Sequence, residues 1–199
     1  MARRIIMTLK PTTTTRWRHQ RVKLRDTAIE QVPKFNYLGA EISANRDLKQ
    51  EVRTQVTRAA RISGCLYNLI WLNKYMSTES KVRFYKSIVR PVLTYASQTR
   101  AETTYTQQLL RTIEMKTIRA IHGKKLRDKI RSDQLRQLSG IQDIIKWTNV
   151  RIKEWDAHVE RMEDNRLAKI ARDNRPQGVR SRGRPKKRWK ESLNAAPSP

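Results

Sequence analysis

The sequence predicts a mainly α protein, in which a helical bundle follows a small N-terminal β-hairpin region and precedes a disordered basic tail. Three observations predict this fold class. Apolar residues alternate with polar ones in short runs before residue 45, recur every three or four residues from there to residue 172, and lose this period beyond it. We therefore expect three segments: a basic N-terminal segment with short strands at 1–44, a helical domain at 45–172 and a disordered basic tail at 173–199.

The first segment contains the predicted strands. Residues 21–42 hold short alternating runs, with Phe35 and Tyr37 among their apolar residues, which is typical of two or three short β-strands. Pro33 confines one strand to a sheet edge, because proline lacks the backbone N–H that a central strand needs. Gly39 predicts a turn or a bulge shortly after these aromatic residues.

Helix boundaries in the middle segment follow from capping residues and from residues that break helices. Asn45 and Ser77 can accept hydrogen bonds from the first N–H groups of two helices, and Thr104 with Gln107 has capping-box spacing for a third. Pro91 lies inside the second apolar pattern, so we expect that helix to kink or end there. The helices predicted in this way span residues 45–75, 77–93, 104–123, 132–140 and 141–162.

The charge balance predicts the class of partner. The 199 residues carry a net charge of +26, from 44 Lys and Arg against 18 Asp and Glu. A compact chain with this charge repels itself unless a polyanion neutralises it, so RNA and/or DNA is the expected partner. An anionic membrane surface is the weaker alternative, because no stretch combines basic charge with a long apolar face. We expect no membrane partner and no small-molecule substrate.

The cysteine content predicts the compartment. The chain has a single cysteine, Cys65, which excludes an internal disulfide and favours a reducing environment. Together with the positive charge, this predicts a protein of the nucleus, or of nucleus and cytoplasm.

No pattern of catalytic or metal-binding residues stands out. The one adjacent acidic pair, Glu163 and Asp164, is flanked by arginines, which indicates solvated or ion-paired charge rather than a two-metal site. The three histidines do not lie at ligand spacing, and one cysteine is too few for an ordinary zinc site. The scattered glycines form no phosphate-binding loop. We therefore expect no catalytic residues, no metal and no cofactor.

Four phrases in a fixed order carry a resemblance to a known family. They are FNYLGAEIS at 35–43, KVRFYKSIVRPVLTYASQT at 81–99, WDAHVERMEDNRLAK at 155–169 and GRPKKRW at 183–189. In this order the chain resembles the C-terminal portion of a non-LTR (LINE-type) retrotransposon reverse transcriptase. That portion has phrases similar to FxYLG, VLxYGSETW, WxGHVxRMxxxR and GRPxxRW. The resemblance covers roughly residues 30–190.

The resemblance implies a nucleic-acid-binding fragment of an RNA-directed DNA polymerase. Phe35, Tyr37, Leu38 and Gly39 would close the palm and begin the thumb, and the helices between 46 and 97 would form a thumb that grips the primer–template minor groove. The catalytic Tyr-Ala-Asp-Asp turn of the palm would lie upstream of the first residue, so we expect no polymerase activity from this chain.

The chain also departs from the family phrases. Ala-Ser-Gln-Thr-Arg at 96–100 stands where the family has Gly-Ser-Glu-Thr-Trp, and Ala157 replaces the glycine of Trp-x-Gly-His. These changes indicate a truncated or decayed copy. A remnant without a cellular role therefore stays an alternative, and so does a complementing piece of a polymerase.

The thumb resemblance nominates basic side chains as candidates for phosphate contact. These are Arg53, Arg58, Arg61, Lys81 and Arg90.

The tail contributes a second candidate surface. Its composition of basic residues, prolines and glycines cannot bury enough apolar surface to offset ordering entropy, which predicts disorder. Residues 182–185 match the Arg-Gly-Arg-Pro core of an AT-hook, which binds the narrow minor groove of A·T-rich DNA, so a DNA-architectural protein is the second functional hypothesis. The tail residues expected to contact nucleic acid are Arg182, Arg184, Lys186, Lys187, Arg188 and Trp189.

Overall fold

The computed structural model describes residues 5–6, 23–24, 27–28, 30–43, 48–174, 183 and 187–194. Two compact units divide the chain, residues 1–51 and residues 52–199. The chain is mainly helical with a small antiparallel hairpin near its N-terminus, which confirms the predicted fold class. The strands are β1 (Ile5–Ile6), β2 (Lys23–Leu24), β3 (Thr27–Ala28), β4 (Glu30–Gln31), β5 (Lys34–Tyr37) and β6 (Ala40–Ser43).

The strands of the first unit form three separate pairs. Strand β1 runs parallel to β4, whereas β2 with β3 and β5 with β6 are antiparallel. In the β5–β6 hairpin Tyr37 pairs with Ala40, so Leu38 and Gly39 form a two-residue loop. Their φ angles are +47° and +84°, as a type I′ turn requires. Gly39 adopts this conformation without strain, whereas Leu38 carries the cost of a left-handed conformation.

The helices of the described residues follow from residue 48 onwards. The first, α1, continues into a π-helical turn, and α2 and α3 are joined by a second π-helical turn into one continuous helix. They are α1 (Leu48–Leu66) with the turn Tyr67–Trp71, α2 (Thr78–Phe84) with the turn Tyr85–Val89, α3 (Arg90–Leu93), α4 (Thr104–Ile121), α5 (Ser132–Ser139), α6 (Ile144–Glu160), α7 (Leu167–Asp173) and α8 (Trp189–Asn194). Short 3₁₀ turns lie at Ser97–Thr99 and Leu126–Asp128.

Side-chain caps begin α2 and α4, close to where the sequence predicts them. Ser77 caps α2 as predicted, since its Oγ accepts the Ser80 N–H at 3.2 Å. The capping box of α4 lies one residue earlier than predicted. Thr103 Oγ1 accepts the Thr106 N–H at 3.3 Å, and Thr106 Oγ1 accepts the Thr103 N–H at 2.8 Å. The shift has a simple cause, because Thr103 and Thr104 are equally able to cap and only the tertiary fold selects between them.

The sequence predicts that the helix containing Pro91 kinks or ends there, and the structure rules out the end, because the chain stays helical past the proline. The π-helical turn Tyr85–Val89 comes directly before the proline, and the Arg90 N–H donates to the Tyr85 carbonyl five residues back. In a regular α-helix the proline ring would press against the carbonyl of Ser87, four residues earlier. The wider π turn moves that carbonyl, so the chain stays helical to Leu93.

The core of the second unit lies where α1 from Val52 onwards, its π-helical turn, the α2–α3 helix, α4, α5 and the first turn of α6 meet. Trp71 and Tyr85 are its largest side chains, and the Trp71 indole N–H donates to the Ser63 carbonyl at 2.9 Å. The remaining buried apolar residues include Val52, Ala59, Val82, Val89, Leu93, Leu110, Ile118, Ile121, Leu135, Ile144 and Ile145. Across the described ranges, no helix is both long and apolar enough to cross a membrane.

Part of the predicted disordered tail is folded. Residues 189–194 form helix α8, which packs against α6, although the sequence predicts disorder over 173–199. The physical reason is Trp189, whose indole N–H donates to the Gln98 carbonyl and anchors the short helix. The rest of that prediction, beyond Asn174, falls on residues outside the described ranges, apart from Gly183, Lys187 and Arg188.

Candidate nucleic-acid interface

An open groove of about 1460 Å³ lies between the C-terminal part of α1, the exposed face of α4 and the chain that leads into α5. Its floor contains small residues, among them Ala60, Gly64 and Ala120. Basic side chains dominate its charged lining, and its acidic side chains are Asp133 and Asp143. The basic lining residues are Arg111, Lys116, Arg119, Lys124, Lys125, Arg136 and Lys146.

Helix α4 supplies one wall of the groove through its two-sided pattern. Leu110 and Ile118 are buried in the core on one side of the helix. On the other side, Thr112, Lys116 and Arg119 recur at helical spacing and line the groove. The amphipathic sequence of α4 therefore places Arg111, Lys116 and Arg119 along the groove.

The α4–α5 connection supplies the densest positive charge. The run KKLRDKIR at 124–131 holds five basic residues and one acid, and its basic side chains are all exposed. The acid, Asp128, accepts the Lys125 backbone N–H at 2.8 Å, so it shapes the turn. Lys124 and Lys125 line the groove. The sequence-based candidates omit this run, although its spacing of basic residues is visible in the sequence.

The protein itself ion-pairs Arg136 and Arg111, which both line the groove, and the Arg111 Nε lies 3.3 Å from Asp143 Oδ2. The Arg136 guanidinium donates to Glu114 Oε2 from Nε at 3.2 Å and from Nη2 at 2.7 Å, and its Nη2 also lies 2.9 Å from Asp143 Oδ2. Glu114 is fully buried, and burial raises the pKa of its carboxyl while Arg136 acts against that rise. Arg136 therefore holds the groove wall together and has little charge to offer a ligand.

Asp143 links this ion-pair network to helix α6. Its Oδ1 accepts the N–H groups of Ile145 at 2.8 Å and Lys146 at 3.3 Å, which caps the helix. Burial acts to raise its pKa, but Arg136, these backbone N–H groups and Arg111 hold the pKa of Asp143 below its usual range. The carboxylate therefore stays ionised and fixes the start of α6 beside the groove.

The groove lysines outside that network are not neutralised in this way. Within the helical part that the structure describes, no acidic side chain pairs with Lys116, Lys124 or Lys125. His122 lies next to Lys124, and its Nε2 is 2.7 Å from Ser139 Oγ. Partial burial, together with the nearby lysines, lowers the pKa of His122. Burial is the larger cause, and the charges of Lys124 and Lys81 add to it.

The three candidate arginines of α1 are exposed. Arg53, Arg58 and Arg61 all lie at the surface of the helix. Arg53 is engaged with α4, because its Nη2 donates to the Tyr105 hydroxyl at 2.8 Å and its guanidinium lies 5.6 Å from the centre of that ring. Because they are exposed, all three stay candidates for phosphate contact, and Arg53 also ties α1 to α4.

Lys81 and Arg90 are buried, which corrects the expectation that they face a phosphate backbone. The Lys81 ammonium donates to the Trp71 carbonyl at 2.9 Å. The Arg90 guanidinium lies 5.3 Å from the centre of the Tyr85 ring and 5.5 Å from that of Trp147. Cation–π contacts and one buried hydrogen bond thus occupy these two cations inside the fold.

The described tail residues pack on the helical unit. The Trp189 indole N–H donates to the Gln98 carbonyl at 2.7 Å, and the Lys187 ammonium donates to the Glu102 carbonyl at 3.3 Å. Trp189 lines a cleft of about 710 Å³ together with Trp155. Arg188 is exposed. The remaining tail candidates, Arg182, Arg184 and Lys186, lie outside the described residues, as does most of the AT-hook core.

The structure brings three of the four sequence phrases together. The turn Ser97–Thr99 packs against α6, whose Trp155 and His158 rings lie 5.6 Å apart and line a small pocket with Ser97 and Gln98. Trp189 joins the same region through Gln98. These phrases, distant in the sequence, thus form one contiguous packing unit.

Arg100 follows this turn at the position where the family phrase has tryptophan. It is buried and lies 3.3 Å from Glu102, which is equally buried. Burial raises the pKa of Glu102, and the Arg100 charge acts against that rise. Arg100 and Glu102 therefore form a buried ion pair directly after the turn. As for metal ions, no three His, Cys, Asp or Glu side chains are arranged to hold one in the described ranges.

A comparison with known proteins finds sequence similarity to a transposon-derived protein. A Caenorhabditis elegans protein, described by its name as uncharacterized and transposon-derived, is 29% identical over 175 residues. The alignment covers 84% of this chain and spans 61% of the length of that relative. No protein-family model matches the chain, and no solved structure matches it significantly. The likeness supports a transposon-related origin.

Proposed function

We propose that this chain is a nucleic-acid-binding piece of a transposon-derived protein that corresponds to the thumb and connection region of a LINE-type reverse transcriptase. The helical fold, the order of the four phrases and the transposon-derived relative support this origin. RNA and/or DNA is the partner. The proposal assigns the chain no polymerase chemistry of its own.

The observation that carries the binding proposal is the basic groove beside α4. Lys116, Lys124 and Lys125 line it, and the run 124–131 continues its positive charge. Lysine and arginine bind nucleic acid mainly by releasing the counterions that surround phosphates, which needs no particular base sequence. The groove therefore binds the backbone of RNA or DNA with little sequence preference.

The salt dependence of binding tests the proposal. If about four groove cations contact phosphates, the slope of log affinity against log salt concentration is about −3.6 for a duplex and about −2.8 for a single strand, and affinity falls about 150-fold and about 50-fold, respectively, between 50 and 200 mM salt. A labelled duplex and a labelled single strand, each titrated at both concentrations by fluorescence anisotropy, give this slope. Affinity that barely changes with salt contradicts the proposal.

A triple substitution locates the interface. The change Lys116→Gln, Lys124→Gln and Lys125→Gln removes three groove charges, so the slope should become shallower by about 2.7 for a duplex and by about 2.1 for a single strand. The matched control, Lys74→Gln, Arg161→Gln and Arg166→Gln, removes the same charge from exposed positions outside the groove. Equal losses in both variants mean that binding follows net charge and does not use the groove.

A further inference from the structure

Tyr67 is held at the surface of the groove by a rigid piece of backbone. It begins the π-helical turn after α1, and the Leu72 N–H donates to the Tyr67 carbonyl at 3.0 Å. The other end of the turn is fixed in the core. There the buried Trp71 donates to the Ser63 carbonyl and accepts a hydrogen bond from Lys81. The Tyr67 side chain lines the groove and stays 44% exposed.

The sequence of α1 leaves space beside this ring. Gly64 precedes Tyr67 by three residues, which puts both on the same side of the helix, and no atom lies within 4 Å of where a Gly64 side chain would start. Ala60 continues this small-residue floor one turn earlier. A flat group that enters the groove therefore meets the Tyr67 ring without an intervening side chain.

We propose that the groove takes a single strand of RNA or DNA, with one unpaired base stacked on Tyr67 and the adjacent phosphates against Lys116, Lys124 and Lys125. This inference rests on the proposed function and narrows it. An exposed aromatic ring among lysines is what a groove for unpaired strands requires, because a stacking platform accepts any base while the cations follow the backbone. In a duplex the base faces are covered by their neighbours, so the ring would have no partner.

The test compares Tyr67→Ala with Tyr67→Phe. The probes are a fluorescein-labelled oligothymidine 12-mer and a labelled 12-base-pair duplex, each titrated by anisotropy at low salt. Loss of one stacked base should weaken binding of the single strand about 5-fold or more, leave binding of the duplex unchanged, and be repaired by phenylalanine. Tyr75→Ala is the control, because Tyr75 is fully exposed and does not line the groove.

Each outcome separates this inference from the proposed function. If Tyr67→Ala weakens the single strand and the duplex equally, or weakens neither, the stacking inference is wrong. The groove still binds nucleic acid in that case, provided that the triple lysine variant loses affinity. If the unaltered chain binds neither probe at low salt, the proposed function itself fails. Thermal unfolding of each variant checks that the exposed substitution leaves the fold intact.

Discussion

The Arg136–Glu114 ion pair gives a quantitative prediction about stability. The change Arg136→Met leaves the fully buried Glu114 carboxylate without the guanidinium that contacts it through Nε and Nη2. Breaking a buried pair from one side costs about 3–5 kcal/mol, because the remaining charge is neither solvated nor paired. Asp143 suffers less, since the N–H groups of Ile145 and Lys146 still contact it.

Urea unfolding followed by circular dichroism measures this cost, and two further variants provide the comparison. Arg83→Met removes a surface pair with Glu79 whose side chains are 78% and 76% exposed, so it should cost less than about 1 kcal/mol. The double change Glu114→Leu and Arg136→Met replaces the pair with apolar groups of similar size. It should recover most of the stability that Arg136→Met loses.

The destabilisation should also depend on pH. Burial raises the pKa of Glu114, and without Arg136 nothing of comparable strength opposes that rise. A carboxyl with a raised pKa in the folded state binds more protons folded than unfolded, so stability falls as pH rises through that pKa. Arg136→Met should therefore lose less stability at pH 5 than at pH 8. The reasoning is refuted if Arg136→Met matches Arg83→Met, or if the double variant is no more stable than the single one.

Three further predictions concern local features. Ala96 has a φ angle of +56°, so Ala96→Gly should stabilise the fold by about 0.5 kcal/mol in urea unfolding, as relief of left-handed strain exceeds the added chain entropy. Trp189→Ala should free helix α8 and speed hydrogen exchange at residues 189–194, whereas Trp189→Phe, which lacks the bond to the Gln98 carbonyl, should have a smaller effect. The lowered pKa of His122 means that stability falls as pH drops below about 6.5, so His122→Gln should flatten the loss between pH 7 and pH 5. Unchanged exchange in Trp189→Ala, or equal pH profiles for His122→Gln and the unaltered chain, would contradict the last two.

Local patterns predicted the fold class and most of the helices. Apolar spacing of three to four residues is a local property, and so are caps such as Ser77, whose predicted role the structure confirms. The one-residue error at Thr103 arose because two adjacent threonines can both cap. Local chemistry allowed either choice, and packing decided between them.

The candidate site was harder to predict because burial depends on the tertiary fold. Lys81 and Arg90 are basic, but their side chains lie inside, and the Arg90 guanidinium packs on the ring of Tyr85, which begins the π-helical turn before it. No local pattern shows such a turn. The basic run at 124–131 was visible in the sequence, but its position beside α4 and Tyr67 follows only from how α1, α4 and α5 pack.

Because of the π-helical turn at Tyr85–Val89, the number of residues in this helix and the proline at position 91 depend on each other. A π turn amounts to one extra residue inserted in an α-helix, and here it spares Pro91 a collision with the Ser87 carbonyl. Deleting one residue from 85–89 would close the turn as ordinary α-helix and bring that collision back. A viable shortened sequence would thus have to replace the proline as well. In an alignment of such chains, a one-residue gap here should coincide with the loss of the proline.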